Sequence, residues 1–414
     1  MKLLVITNLF PPQELGGYGR AMADFAWGLE QRGHKLDVCS SDAPYLLQSS
    51  LSVQLQANVQ RCLHLKGTFL NGVHHLNDPS ARHHIDQHNQ QQIQAVINTT
   101  AYDGVLLGNL DLIGVEILKP LLRTNLPLLH HIGYTTAPFP ANQHPSANNY
   151  RMVAASEAVK HCLANQALQT QTIPVVYPGA RCDLFGPSAT KRLLPAPLNR
   201  SNSPEITLGQ PGHPLRICFA GLMMATKSPH TIAEALLSLK QRGINAKLSF
   251  AGDSFQEGYK EAIQAYLNQH NLQDDVQWFG QLSRSQLARF FGLHHVAIFP
   301  SVHPEAFGIV AAEAIASGLI LATSGVGGAA ELIEDRVSGF RFKPGNSGDL
   351  AKILEEICTL TPEQLRSIAQ HGEQRIRSQF SVEKAAAQLE QLFQASRPDV
   401  NNANKLDNLG HITL

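Results

Sequence analysis

Residues 2–41 read KLLVITNLFPPQELGGYGRAMADFAWGLEQRGHKLDVCSS. An apolar, strand-like run at 2–10 is followed by a turn-rich loop at 11–20. Apolar side chains then recur at helical spacing until Gly33 stops them, and 35–41 reads as a second strand. Strand, loop, helix, strand is the βαβ unit of a parallel sheet, whose ligands bind beyond the carboxyl ends of the strands. Outward from this unit, further strands are expected at YDGVLLGN (102–109), LPLLHHIG (126–133), RMVAAS (151–156) and TIPVVYPG (172–179).

From 186 to 214 the chain is rich in Pro, Ser, Asn and Gly and has no sustained period, which reads as a linker. A second alternating series begins at once, with strands expected at LRICFAG (215–221), AKLSFAGD (246–253), DVQWFG (275–280), VAIFPS (296–301) and LILATS (319–324) and helices between them. The expectation is an α/β protein of two doubly wound domains, 1–185 and 215–378, facing one another across a cleft. A helix at 379–396 is expected to pack back toward the first domain, ahead of a loosely ordered tail at 397–414.

At 414 residues, two cores of ordinary size are the natural reading. Lys plus Arg equals Asp plus Glu, 33 against 33, so the overall charge does not point to nucleic acid. The six cysteines are scattered, without the close pairs of zinc ribbons or redox dithiols, which fits a reducing cytoplasm. The N-terminal apolar stretch is broken by Asn8 and ends in Pro11-Pro12, so it reads as a buried strand rather than a secretory leader. No apolar run is long enough to span a bilayer, and a peripheral contact at the inner membrane face is left open.

The chemistry concentrates in PSVHPEAFGIVAAEAIASG (300–318), where a strand ends and a helix begins. Gly308 lets backbone approach a ligand, and the free N–H groups of Ile309 and Val310 suit a phosphate. Glu305 in the loop could accept hydrogen bonds from sugar hydroxyls, and Glu313 in the helix from a ribose, each carboxylate offering two acceptor oxygens. A Glu, seven residues and a second Glu, running through Phe307-Gly308 into a helix, resembles the signature of retaining glycosyltransferase family 4, of the glycosyl transferases group 1 type. The resemblance extends to the loop Gly16-Gly17-Tyr18-Gly19-Arg20, to VAASEAVKHCLANQ (153–166) and PVVYPGARCDLF (174–185), and to FAGLMMATKSP (219–229).

That resemblance implies a GT-B fold, two Rossmann-like domains, with an acceptor in the first and a nucleotide sugar mainly in the second. It implies that Gly16, Gly17, Arg20, Gly221, Lys227, Phe307, Gly308, Ile309, Val310 and Glu313 bind the donor, and that Glu305 and a histidine act on the donor sugar. Adjacent strand residues point to opposite faces, so one of His130 and His131 faces the site; the register does not say which, and His131 is taken as the candidate. Transfer with retention is implied, with no cofactor and no metal, in polysaccharide or glycoconjugate assembly. One departure stands out: the family usually carries Arg directly after Gly221, and here Leu222 stands in its place. Losing a guanidinium fork weakens the hold on a diphosphate.

Leu222 therefore keeps a non-catalytic nucleotide- or glycan-binding protein in view. A nucleotide-sugar epimerase and a two-carboxylate glycosidase also compete with the transferase, the glycosidase being disfavoured by the phosphate-suited elements. His84 and His88 share a helical face at metal-ligand spacing, but without an identifiable third ligand they read as a solvated helix surface.

Overall fold

The structure, a computed structural model, describes residues 1–15, 17, 19–46, 56–70, 72–166, 168, 170–186 and 207–396. Most of the expected linker and the whole of the expected tail lie outside the described residues, as does Gly16.

The first domain is built on six strands: β1 (Lys2–Thr7), β2 (Lys35–Ser41), β3 (Asn58–Leu63), β6 (Gly104–Leu107), β7 (Leu128–Ile132) and β8 (Tyr150–Ala154). They lie in the order β3-β2-β1-β6-β7-β8, every pair parallel. A short antiparallel hairpin of β4 (Gly67–Thr68) and β5 (His74–His75) stands apart. Helices α1 (Arg20–Gln31), α2 (Pro79–Thr99), α3 (Leu118–Leu122) and α4 (Glu157–Asn165) complete the domain.

The second domain repeats the plan with β9 (Leu215–Ala220), β10 (Ala246–Ala251), β11 (Val276–Trp278), β12 (Val296–Phe299), β13 (Ile320–Thr323) and β14 (Phe340–Arg341), in the order β11-β10-β9-β12-β13-β14. Its helices are α5 (His230–Gln241), α6 (Tyr259–Gln269), α7 (Arg284–Phe291), α8 (Ile309–Ala316), α9 (Ser347–Thr359), α10 (Pro362–Gln379) and α11 (Val382–Ala395). In each sheet the strand order reverses at one place, between β1 and β6 and between β9 and β12, and crevices form at such switch points.

The apolar runs read from the sequence become central strands buried on both faces, because helices cover both sides of a parallel sheet. Leu4, Ile6, Val105 and Leu107 face one core of the first domain, and Leu3, Val5, Phe25 and Leu106 the other. Ile217, Leu248 and Ile298 pack on one side of the second sheet, and Cys218, Ala297 and Leu321 on the other. The segment 172–179 departs from expectation: it makes only an isolated bridge between Val175 and Ala154. Pro174 and Pro178 cannot donate to a ladder, which limits pairing to that single point.

The chain crosses between domains twice. Residues near Ala180 leave the first domain, and at Phe380–Val382 the chain returns beside them: Ala180 N donates to Phe380 O at 2.8 Å and Val382 N to Ala180 O at 3.1 Å. Helix α11 then lies against α1, with Gly28 at the crossing, where a Cβ would come within 2.8 Å of Ala386 Cβ.

Candidate functional site

β12 ends at Phe299, and residues 300–308 carry the chain into α8. Gly308 takes φ 98° and ψ 58° at the helix entrance, a left-handed conformation that explains glycine there. The first N–H groups of α8, on half-buried Ile309 and Val310, have no partner inside the helix. The backbone of Glu305 is fixed from the loop after β13, where Gly328 N donates to Glu305 O at 2.7 Å. Gly327, with φ 70°, presses against it so closely that a Cβ would lie 2.3 Å from Glu305 O. This glycine pair escaped the sequence reading, although GVGG directly after a predicted strand is a visible signal.

The Glu305 side chain accepts from Lys227 Nζ at 2.5 Å and from Ser301 Oγ at 2.6 Å, both on Oε1. The Glu305 and Lys227 side chains are 18% and 27% exposed, so solvent reaches the pair. Lys227 comes from the loop after β9, tied to the Glu305 loop by Val302 N donating to Thr226 O at 2.9 Å. The two loops thus meet at the switch point of the second sheet. Gly221 closes β9, and Leu222 beside it is half-buried.

Glu313 lies in α8, where the sequence placed it, but enclosed. It is fully buried. Its Oε1 accepts from Arg284 Nη2 at 2.8 Å, and the same guanidinium donates to Asp24 of α1 at 2.6 and 3.1 Å, across the domain boundary. Glu313 Oε2 has no hydrogen-bond partner; Arg20 Nη1 stands 3.9 Å away. Arg20 itself donates to Glu14 at 3.3 Å, and Arg181 stacks on Trp27 with Nη1 3.7 Å from Asp24. Burial pushes the Glu313 carboxyl above its ordinary value despite Arg284 and Arg20. Burial also works against the charge of Arg284, yet Asp24 and Glu313 hold its guanidinium protonated. In this conformation no ribose reaches Glu313. Asp24 and Arg284, 260 positions apart, gave no sign in the sequence.

Phe307 also differs from a donor contact. It is 3% exposed and packs 5.8 Å from the Tyr177 ring and 6.0 Å from Phe380, so its part is to seat the loop. Gly17 lies over the start of α8, where a Cβ on it would be 3.9 Å from Ile309 Cδ1. His131 is buried, donates from Nε2 to Val176 O at 2.8 Å and meets Phe25 edge-on. His130 donates to Gly108 O and accepts from Tyr150 Oη at 2.7 Å. Burial lowers His130 to about 3 and His131 to about 4, so both are neutral near pH 7. Both line a cavity of the first domain, and neither touches Glu305 or Lys227. His88 bonds to the Cys62 carbonyl at 3.1 Å and stacks on His64.

Glu331, also unforeseen, reaches from the second domain to the start of α4. It accepts from Ala158 N at 2.9 Å, Glu157 N at 3.2 Å and Tyr177 Oη at 2.7 Å. A carboxylate at a helix N-terminus complements its dipole.

Residues 206–375 match the family model described as glycosyl transferases group 1. The second domain is a group 1 glycosyltransferase domain. This glycosyltransferase domain holds Lys227, Glu305 and Glu313 together. The D-inositol 3-phosphate glycosyltransferase of Segniliparus rotundus is 27% identical over 230 residues, 55% of this chain and 48% of that one. The chain spans about half the length of the curated relatives it matches. Among solved structures, a glycosyltransferase from Rickettsia africae superposes with TM-score 0.72 at 19% identity, over 95% of this chain and 98% of that one. Anabaena HepE in complex with UDP-glucose gives 0.68 at 19%, over 95% and 100%. The glycosyltransferase domain and the domain before it together form a GT-B fold.

Proposed function

We propose that the protein is a retaining glycosyltransferase that moves a hexosyl group from a nucleoside-diphosphate sugar to an acceptor hydroxyl held by the first domain. One observation carries this reading: Glu305 and Lys227, a hydroxyl acceptor and a phosphate partner, meet at the switch point beside the open N-terminus of α8.

Lys227 pairs with Glu305. A donor entering the site would draw Lys227 to its diphosphate, together with the N–H groups of Ile309 and Val310, and leave Glu305 to accept from the sugar hydroxyls. The acceptor oxygen bonds to the anomeric carbon, and the bond from that carbon to the phosphate oxygen breaks. The diphosphate leaves with the electron pair, and one of its oxygens takes the acceptor proton. Positive groups fixed around the diphosphate stabilise this charge more in the transition state than in the ground state. Arg20, 3.9 Å from Glu313, would supply from the first domain a guanidinium where Leu222 offers none. This scheme uses no metal and no cofactor. HepE is described in complex with UDP-glucose, which supports a nucleotide-sugar donor here.

The test is release of nucleoside diphosphate from UDP-glucose, GDP-mannose and ADP-glucose, in EDTA and in magnesium, with and without sugar acceptors. Turnover of one donor that Glu305→Gln lowers about a hundredfold supports the reading. Nucleotide binding without turnover across all acceptors would make the protein a binding module.

A further inference from the structure

Lys227 is the only cation between β9 and α5. With Leu222 in the neighbouring place, the charge that this loop brings to a diphosphate depends on where one ammonium points. A lysine carries its charge on a flexible four-carbon stem, so the backbone that starts the stem must be fixed if the ammonium is to be.

Directly after Lys227 the backbone takes an uncommon turn. Lys227 closes a 3-10 turn, Ala225–Lys227, and Ser228 follows with φ 53° and ψ 40°, in the left-handed region that favours glycine. Among the described residues only Leu112, Asn271 and Arg336 share a positive φ without being glycine, and none of them adjoins a residue assigned to the donor. Ser228 is fully buried. Its hydroxyl lies 2.8 Å from Thr231 Oγ1 and 3.5 Å from His230 Nε2, and the other ring nitrogen of His230 bonds to Tyr259 Oη at 2.5 Å. A neutral imidazole has one donor and one acceptor nitrogen, and a hydroxyl can complement either, so the chain from Tyr259 through His230 to Ser228 closes in either direction.

Tyr259 opens α6. Burial raises its phenol above the ordinary value, and a bond from the His230 backbone N–H opposes the rise. The segment ahead of α6 grips the Lys227 loop as well: Ala225 N donates to Gln256 Oε1 at 2.9 Å, and Met223 N to Asp253 O at 3.0 Å. A left-handed residue other than glycine persists only where its surroundings determine it. Here hydroxyl and imidazole groups determine it, and the residue just before it is the one whose ammonium meets Glu305.

We propose that Ser228 is a positioning residue, held in its left-handed turn by Thr231, His230 and Tyr259, and that this turn aims the Lys227 ammonium at the donor diphosphate. The proposal rests on the reading of Lys227 as a donor-phosphate partner; the aim of the ammonium is measured without a donor.

Acetic anhydride labelling of Lys227, followed by peptide mass spectrometry in the full chain, reports how firmly the ammonium is held against Glu305. Ser228→Ala keeps the Cβ and loses the hydroxyl, and labelling is expected to rise about fivefold. Ser228→Gly also loses the hydroxyl but takes the left-handed turn unaided, and should bring labelling back to within about twofold of the original chain. Tyr259→Phe removes the last link of the chain and should raise labelling about twofold beside Ser228, but not beside Ser228→Gly. Equal labelling in Ser228→Ala and Ser228→Gly overturns the positioning; if Ser228→Ala does not fold, the Tyr259→Phe pair decides alone.

The second measurement titrates inorganic pyrophosphate calorimetrically into the same variants. Affinity should fall about fivefold in Ser228→Ala, return in Ser228→Gly, and respond to neither once Lys227→Ala is present. A fall that persists beside Lys227→Ala means that the turn serves the fold rather than the lysine, and overturns the proposal. Absent pyrophosphate binding, or binding indifferent to Lys227→Ala itself, overturns the donor-site reading of Lys227 and leaves the labelling to decide the aim of its ammonium.

Discussion

Glu305 and Glu313 lie within one short stretch of chain, and they serve opposite ends. Glu305 sits in a loop, reached by solvent, with a lysine that can let go. Glu313 is sealed one helix turn deeper, against an arginine that also grips the first domain. The same side chain becomes a ligand group in one place and a structural rivet in the other. Spacing along the chain determines where a carboxylate stands; what packs around it determines its chemistry.

The contrast is sharpest at Arg284. Arg284→Met removes the hydrogen-bonded cation shared by buried Asp24 and Glu313, leaving them only Arg181 at 3.7 Å and Arg20 at 3.9 Å, and equilibrium urea unfolding is expected to register a loss of about 3 kcal/mol. A triple replacement of Asp24, Arg284 and Glu313 by leucine should recover much of it. A loss below about 1 kcal/mol in the single variant would mean that the cluster is looser than its distances imply. Next in size, Glu305→Gln should lower transfer on the order of a hundredfold while thermal unfolding changes little, because its ion pair is open to water. A large fall in Tm with modest loss of transfer would reverse the roles given to the two glutamates.

The buried histidines set a pH response. His131 is held to about 4 in the fold against 6.5 ordinarily, so between these values the unfolded chain binds a proton that the folded chain refuses. Stability should therefore fall as pH drops from 6.5 toward 4, and His131→Gln should flatten part of that decline in urea titrations at successive pH values. The smallest effect belongs to the other interdomain carboxylate. Glu331→Gln keeps the shape and loses the charge, and should cost about 1 kcal/mol in urea unfolding, with donor KM unmoved.

These two regions also differ in how far they could be read in advance. The doubly wound plan was legible because strand and helix periods are local, and the loop from Ser301 to Gly308 because strand end, glycine and helix start follow directly. The guanidinium of Arg284 was illegible, since nothing near position 284 refers to Asp24 in another domain. Phe307 was read as a ligand contact from its place in the motif, but aromatic neighbours at 177 and 380 claim it for the core. In 172–179 the apolar residues suggested a strand, and the prolines among them left only one bridge.

The outgoing chain at Ala180 and the returning chain at Ser381 are paired side by side. Two covalent crossings that run through adjacent points behave as the knuckles of a door. A relative motion of the domains would pivot about that line rather than slide or twist across it. Any opening of the crevice would then be largest at the edge away from Ala180, and the Glu305 loop would return to the same register against the first domain each time the door shuts.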